Sequence, residues 1–296
     1  MRKPFVLSLL CVLGALALFF WGFNPQSPPP PSVEGRYILL IDNDTGTFLM
    51  QLRKGMQEAA AMQGARLTVS IAAADPAAQA AELSAAAPTA VLLLLSDPLP
   101  MLTALEAGDV PALVIHQALR GYVCVVSDDQ KSSEALVRYA LTLASANQIL
   151  LLTDEQDPRA DERMNGATEL VQRSGIQTLP WSDGMIFPKD FRTIVALSSR
   201  ATLALAEAKS SGFLSPSCQV LGIDPGDARV QVLEKGWSSA LAMDNPYAMG
   251  YVAIEKAQQL AEDALPPSLH LCDATIIHTD NMYLSENVKL VFPLLQ

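Results

Sequence analysis

The sequence predicts an α/β fold of two lobes, each built on a parallel sheet with helices on both faces. Three observations lead there. Short apolar runs alternate with helical stretches from residue 37 onward, and strand–helix alternation at this period makes right-handed βαβ units. The first run, YILLID, is continuously apolar up to its end, the pattern of a strand buried on both faces. About a dozen such strands exceed one comfortable sheet. With 50% of the 296 residues hydrophobic and 17% charged, a disordered chain is excluded.

The elements follow in order. The first strand covers residues 37–42 and ends in Asp42-Asn43-Asp44. Residues 48–63 carry Phe48, Leu49, Leu52, Met56, Ala59 and Ala60 at helical spacing, and Gly64 stops the helix. Residues 66–72 alternate as a strand, 76–87 form an Ala-rich helix, 90–95 a strand and 98–107 a helix. Two strands, 112–116 and 122–126, come next. Then follow helix 130–146, strand 149–153 and helix 160–174. Strands 194–197, 220–223 and 240–243 are separated and followed by helices 201–212, 227–234 and 247–264.

Residues 1–34 stand outside this pattern. Arg2 and Lys3 precede an apolar stretch over residues 4–23, in which Ser8 is the one strongly polar side chain. Such a run is about 30 Å long as a helix, one hydrocarbon thickness. It ends in Phe19, Phe20, Trp21 and Phe23, where a signal peptidase requires small residues. The expectation is a transmembrane anchor, with a cleaved signal peptide as the alternative. The basic flank keeps the N-terminus cytoplasmic and sends the rest of the chain outside. Five prolines between Pro25 and Pro31 favour a polyproline II spacer.

Several chemistries are missing. The net charge of −11, with no basic cluster, argues against nucleic acid as a partner. There is no phosphate loop, nucleophile elbow or dinucleotide fingerprint. His116, His270 and His278 lack zinc-site spacing. Cys124 reads as a small core residue, and Cys218 and Cys272 are expected to be free. No enzyme activity and no cofactor are expected.

Ligands of open α/β sheets sit at the carboxyl ends of the strands. The polar residues there are Asp42-Asn43-Asp44, His116-Gln117, Ser127-Asp128-Asp129, Asp154, Ser198-Ser199 and Asp224. Helix N-caps use the same residue types, so each position has two readings.

Four segments carry a resemblance. Thr47-Phe48-Leu49 runs on into LRKGMQEAAAMQG. Arg163-Met164-Asn165-Gly166 lies near the start of a helix. Gly222-Ile223-Asp224 ends a strand. Gly236 leads, after seven residues, to Asp244-Asn245-Pro246-Tyr247-Ala248-Met249-Gly250. In this order and spacing the chain resembles the type I periplasmic binding proteins, specifically the ribose/galactose-type sugar solute-binding proteins of ABC transporters, over residues 37–281. The resemblance implies two doubly wound Rossmann-like lobes joined by a three-strand hinge. Lobe one would hold residues 35–129 plus 245–273, and lobe two residues 130–244 plus 274–296.

It also implies a ligand site in the cleft. Phe48 would stack on a sugar face, Arg163 would bond its hydroxyls, and Asp224 would accept from them. Asp44, His116, Gln117, Trp181, Ser198 and Asp244 complete the expected set. The chain departs from the family pattern at several of these. Gly46-Thr47 replaces Asn-Pro, Leu49 the second aromatic, His116-Gln117 an Asp-Arg pair, Ser198-Ser199 an Asn-Asp pair and Asp244 a Gln. Only 12 residues separate Trp181 from Ile194, where the family fits a helix. Three carboxylates, Asp44, Asp224 and Asp244, against Arg163 predict an acidic cleft. That suits a neutral polyol or a cation and disfavours an anion, because an unpaired buried carboxylate is costly.

The functional expectation is a non-catalytic, extracytoplasmic solute-binding protein, held at the cell membrane by its N-terminal helix. It would capture a small polar ligand, a carbohydrate by preference, and present it to an ABC permease or a sensor histidine kinase. The alternative is a degenerate binding fold acting as a protein-interaction module.

Overall fold

Strand β1 (Gly35–Ile41) shows why its sequence is continuously apolar. Tyr37, Leu39 and Ile41 face one helical layer, and Ile38 and Leu40 face another. In the computed structural model, which describes residues 35–42, 46–264 and 268–292, β1 lies inside a six-stranded sheet. Its neighbours are β2 (Ala65–Ile71) and β3 (Ala90–Leu94). Beyond β3 come β4 (Ala112–Ile115), β5 (Cys124–Ser127) and β11 (Leu269–Cys272), and every pairing is parallel. Helices α1 (Thr47–Met62) and α8 (Pro246–Ala261) cover one face. Helices α2 (Pro76–Ala86) and α3 (Leu99–Glu106) cover the other.

The glycines of the sequence motifs are contact points between layers. A β-carbon on Gly55 of α1 would overlap the Tyr247 carbonyl, and one on Gly250 of α8 would overlap the Leu52 carbonyl. The two helices therefore pack backbone to backbone, which only glycine permits.

The second sheet repeats the plan. It contains β6 (Ile149–Thr153), β7 (Gln177–Pro180), β8 (Thr193–Ala196), β9 (Gln219–Ile223), β10 (Ala240–Met243) and β12 (Thr275–His278), in the order β12-β10-β9-β8-β6-β7. Helices α4 (Asp129–Leu143) and α5 (Ala160–Ser174) pack on one face. Helix α6 (Ser199–Ser210) packs on the other. Helices α7 (Arg229–Glu234) and α9 (Ser285–Val291) close the β10–β12 side. Helix starts follow local chemistry: Asp128 accepts from Lys131 N at 2.9 Å, and Asn245 accepts from Ala248 N at 3.0 Å just before Pro246.

The chain passes between the sheets three times: after Ser127, after Met243 and after Cys272. The third passage explains one departure from an all-parallel expectation. Strand β12 enters from lobe one at the hinge end, with Thr275 opposite Met243, so it must run antiparallel to β10. Cys272 closes β11.

Strands β7, β11 and β12 and helix α9 are not among the elements predicted from the sequence. All four β7 residues are exposed, so no apolar run marks it, and α9 is only seven residues long. Residues 181–192 form no helix. Met185, Phe187 and Phe191 of this segment pack on the lobe-two core instead. Cys124, Cys218 and Cys272 carry free thiols. The expected anchor and proline spacer lie outside the described residues, and among the described residues no helix is long and apolar enough to cross a membrane.

Candidate functional site

Two rings form the lobe-one wall. Phe48, in the first turn of α1, lies 4.8 Å from the His116 ring at 54°. His116 follows β4 with φ 72°, the left-handed region that non-glycine residues seldom occupy. Its Nδ1 is buried and makes no hydrogen bond among the described residues. Burial pushes the imidazole down to about 4, assisted by Arg159 and Arg163 and opposed by Asp244 and Asp157. Those four charged groups belong to the lobe-two side and the hinge, so both lobes meet at His116, which is neutral at pH 7.

The lobe-two wall is a guanidinium–carboxylate network. Arg163 is fully buried. Its Nε donates to Asp129 Oδ1 at 2.8 Å, and its Nη1 donates to Asp157 Oδ2 at 2.7 Å and to the Leu197 carbonyl at 2.8 Å. It thereby ties the first passage between lobes to the β6–α5 connection and the end of β8. The expected sugar-bonding arginine is thus engaged by its own lobe. Burial raises Asp129 above the usual carboxylate range, with Arg159 and Arg163 opposing.

One turn before Arg163 stands Arg159, a quarter exposed. Its Nη1 lies 3.7 Å from Asp129 Oδ2 and 3.9 Å from Asp244 Oδ2. Asp244, on the second passage, is also a quarter exposed. Neither side chain makes a hydrogen bond to a described residue.

Asp224, at the end of β9, accepts from Gly226 N at 2.9 Å and lies 3.2 Å from Arg229 Nη2. Burial pushes its carboxyl up to about 6, against the pull of Arg229. Arg229 is itself buried and donates to Thr47 Oγ1 of lobe one at 3.3 Å. Thr47 donates to Asp227 Oδ1 at 2.8 Å, and Gln51 Nε2 donates to the Lys289 carbonyl at 2.7 Å. These bonds join the lobes directly.

Other expected residues have different places. Ser198 caps α6 by accepting from Ala201 N at 3.1 Å, and donates to Asp154 Oδ2 at 2.9 Å; its cap reading holds. Gln117 Nε2 donates to the Leu95 and Ser96 carbonyls at 2.7 and 3.2 Å, joining strand ends within lobe one. Trp181 belongs to the lobe-two apolar core, with the Arg200 guanidinium 5.0 Å over its ring. With no helix after β7, this aromatic is drawn into the core and not toward a ligand. Asp44 lies outside the described residues.

The structure therefore gathers Phe48, His116, Arg163, Asp224 and Asp244. The sequence reading missed Arg159, Asp157 and Arg229, and named Asp129 only as a strand-end residue. A signal was present: Arg159 and Arg163 are four apart, hence on one helical face. A depression of about 400 Å³ adjoins Asp157, lined among others by Glu155, Asp161 and Met164. Among the described residues no group of three or more His, Cys, Asp or Glu side chains is placed to hold a metal ion.

This two-lobed geometry defines a class, and the family comparison agrees. A family model for the periplasmic binding protein domain matches residues 37–264, and the chain belongs to that family. Membership makes it a binding protein. Solved structures are similar in fold. A periplasmic ribose ABC transporter protein from Conexibacter woesei shares 15% identity over 88% of this chain and 99% of its own, with a TM-score of 0.74. An ABC transporter solute-binding protein from Agrobacterium vitis, bound with alpha-D-tagatopyranose, shares 18% identity over 87% and 99%, with a TM-score of 0.69. A chain of the XylFII–LytSN complex shares 14% identity over 84% and 99%, with a TM-score of 0.68. A search of curated protein sequences gives no match.

Proposed function

We propose that this chain is an extracytoplasmic solute-binding protein that captures a small polar ligand, a sugar or sugar-like molecule, between its lobes. One observation carries the reading: the Phe48–His116 ring wall lies by Arg159 and Asp244, a donor fork and an acceptor whose side chains have no hydrogen-bond partner among the described residues. An apolar ring face beside open polar groups suits a molecule with C–H faces and hydroxyl edges. Ligand bridging the lobes would stabilise the closed form through its differential contacts. That form would be handed to an ABC permease or to a membrane sensor, the second partner having support in the fold shared with the XylFII–LytSN complex. Residues 4–23 would tether the protein to the membrane, with the proline run as spacer.

The test is thermal-shift and calorimetric screening with pentoses, hexoses, alditols and amines. Binding is expected, weakened at least tenfold by Arg159→Ala with little change in stability. Internal engagement of Arg163, Ser198 and Gln117 favours a second reading, a protein-interaction module. Absence of binding by every sugar, alditol and amine would leave that second reading in place.

A further inference from the structure

The cleft has an uneven count of opposite charges. Asp129 and Asp157 share Arg163, and Asp224 has Arg229. Arg159 stands between Asp129 and Asp244 without a hydrogen bond to either. Four carboxylates thus face three guanidiniums, before the exposed Asp227 is counted. The surplus negative charge falls on Asp244, the carboxylate of the four that has no hydrogen bond among the described residues.

Asp244 is also where the three passages between lobes converge. Its charge acts on Asp129 of the first passage and on Cys272 of the third, whose thiol is pushed up to about 11 by burial and then by Asp244 and Asp273. Asp273 has its own partner, Lys131 at 2.7 Å. Beside Asp244 sits His116, a half-buried neutral ring whose buried Nδ1 has no hydrogen-bond partner among the described residues, and which brings no positive charge. The adjoining depression adds Glu155 and Asp161 and no basic side chain. Closing this cleft over a neutral molecule buries a carboxylate in excess, which costs several kcal/mol per uncompensated ion. A ligand carrying one positive charge removes that cost.

We propose that this cleft prefers a polyol bearing an ammonium group, such as an amino sugar, over its neutral counterpart, and that Asp244 is the acceptor that discriminates between them. The inference rests on the solute-binding reading and deepens it. An ammonium supplies three donors to a carboxylate that has none, while Phe48 presents a ring face that tolerates a cation.

The experiment is calorimetry on the purified full chain with matched pairs: glucose and glucosamine, galactose and galactosamine, mannose and mannosamine. Each N-acetylated amine serves as the uncharged control. For the pair whose skeleton fits, the amine is expected to bind at least tenfold tighter than the neutral sugar and than its acetylated form. In Asp244→Asn the ratio is expected to fall to near one. Equal or tighter binding of the neutral sugar overturns the inference and leaves the solute-binding reading intact. An amine preference that persists in Asp244→Asn overturns the role of Asp244. Failure of every member of every pair to bind overturns this inference and counts against the solute-binding reading as well. The wild-type ratio stands without the variant, should Asp244→Asn fold poorly.

Discussion

The two lobes share a plan and bring opposite chemistry to the cleft. Lobe one offers a ring pair, Phe48 on His116, and its strand-end polar groups are turned inward: Asp42 accepts from Ser96 N and Oγ at 2.6 and 2.7 Å, and Gln117 donates to Leu95 and Ser96. Lobe two offers arginines and carboxylates already bonded to one another. The difference teaches how to tell scaffold from site. Arg163 and Arg159 are one helical turn apart on the same face. One is held through Nε and Nη1 by three protein acceptors and shapes the wall; the other makes no side-chain hydrogen bond among the described residues.

The sharpest break in the comparison is Arg163→Ala. It leaves Asp129 and Asp157 without their buried partner, so unfolding by denaturant is expected to show a loss of ~3–5 kcal/mol. Arg159→Ala, at a partly exposed ion pair, is expected to cost under ~1 kcal/mol. Equal stability losses in the two variants would abolish the distinction between them.

A second test strains lobe one without touching the cleft rings. Gly55→Ala forces a β-carbon against the Tyr247 carbonyl between α1 and α8. Overpacking of this kind is expected to cost ~1–3 kcal/mol, read as a lower denaturation midpoint.

Acid separates the lobes by sign. His116 has its folded pKa lowered, from 6.5 to about 4. The unfolded chain therefore takes up that proton first, and stability is lost as pH falls through this window. Asp224 has its folded pKa raised, from 3.8 to about 6, so its contribution improves as pH falls from about 6 toward 3.8. The two trends oppose in the wild type. His116→Asn keeps a residue that tolerates positive φ and removes the lobe-one trend. Its stability relative to wild type should rise as pH drops from 6.5 to about 4, measured by thermal unfolding across that range. A flat difference would mean that His116 is not held neutral by the fold.

The smallest effect concerns the direct bonds between lobes. Thr47→Val removes the donor to Asp227 and the acceptor for Arg229, for an expected ~1 kcal/mol. Small-angle scattering of the variant should register more open molecules. An unchanged scattering profile would assign lobe closure to other contacts.

Much of the fold was legible in one dimension. Helix 160–174 and strand 240–243 match the structure at both ends, because apolar periodicity and caps are local signals. The motifs that carried the family resemblance were informative for a physical reason visible in the layers. Gly55, Gly166, Gly222 and Gly250 are all positions where a β-carbon would strike a neighbouring element. Those motifs record packing, so they report the fold faithfully and the ligand poorly. The candidate site was read less well for that reason. Trp181 looked like a stacking residue until the missing helix after β7 let the core absorb it. Ser198 had two readings, and Asp154 on another strand decided for the cap.

By itself, the sequence determined the alternation of strands and helices and the two-lobe count, since each depends on patterns of residues close in the chain. Tertiary structure alone decided which groups are available to a ligand. Arg163 meets Asp129 and the Leu197 carbonyl across 34 residues in each direction, and β12 runs backward because it arrives from the other lobe. Satisfaction of a guanidinium and direction of a strand depend on neighbours brought together in space, and neither is written in the spacing of the chain.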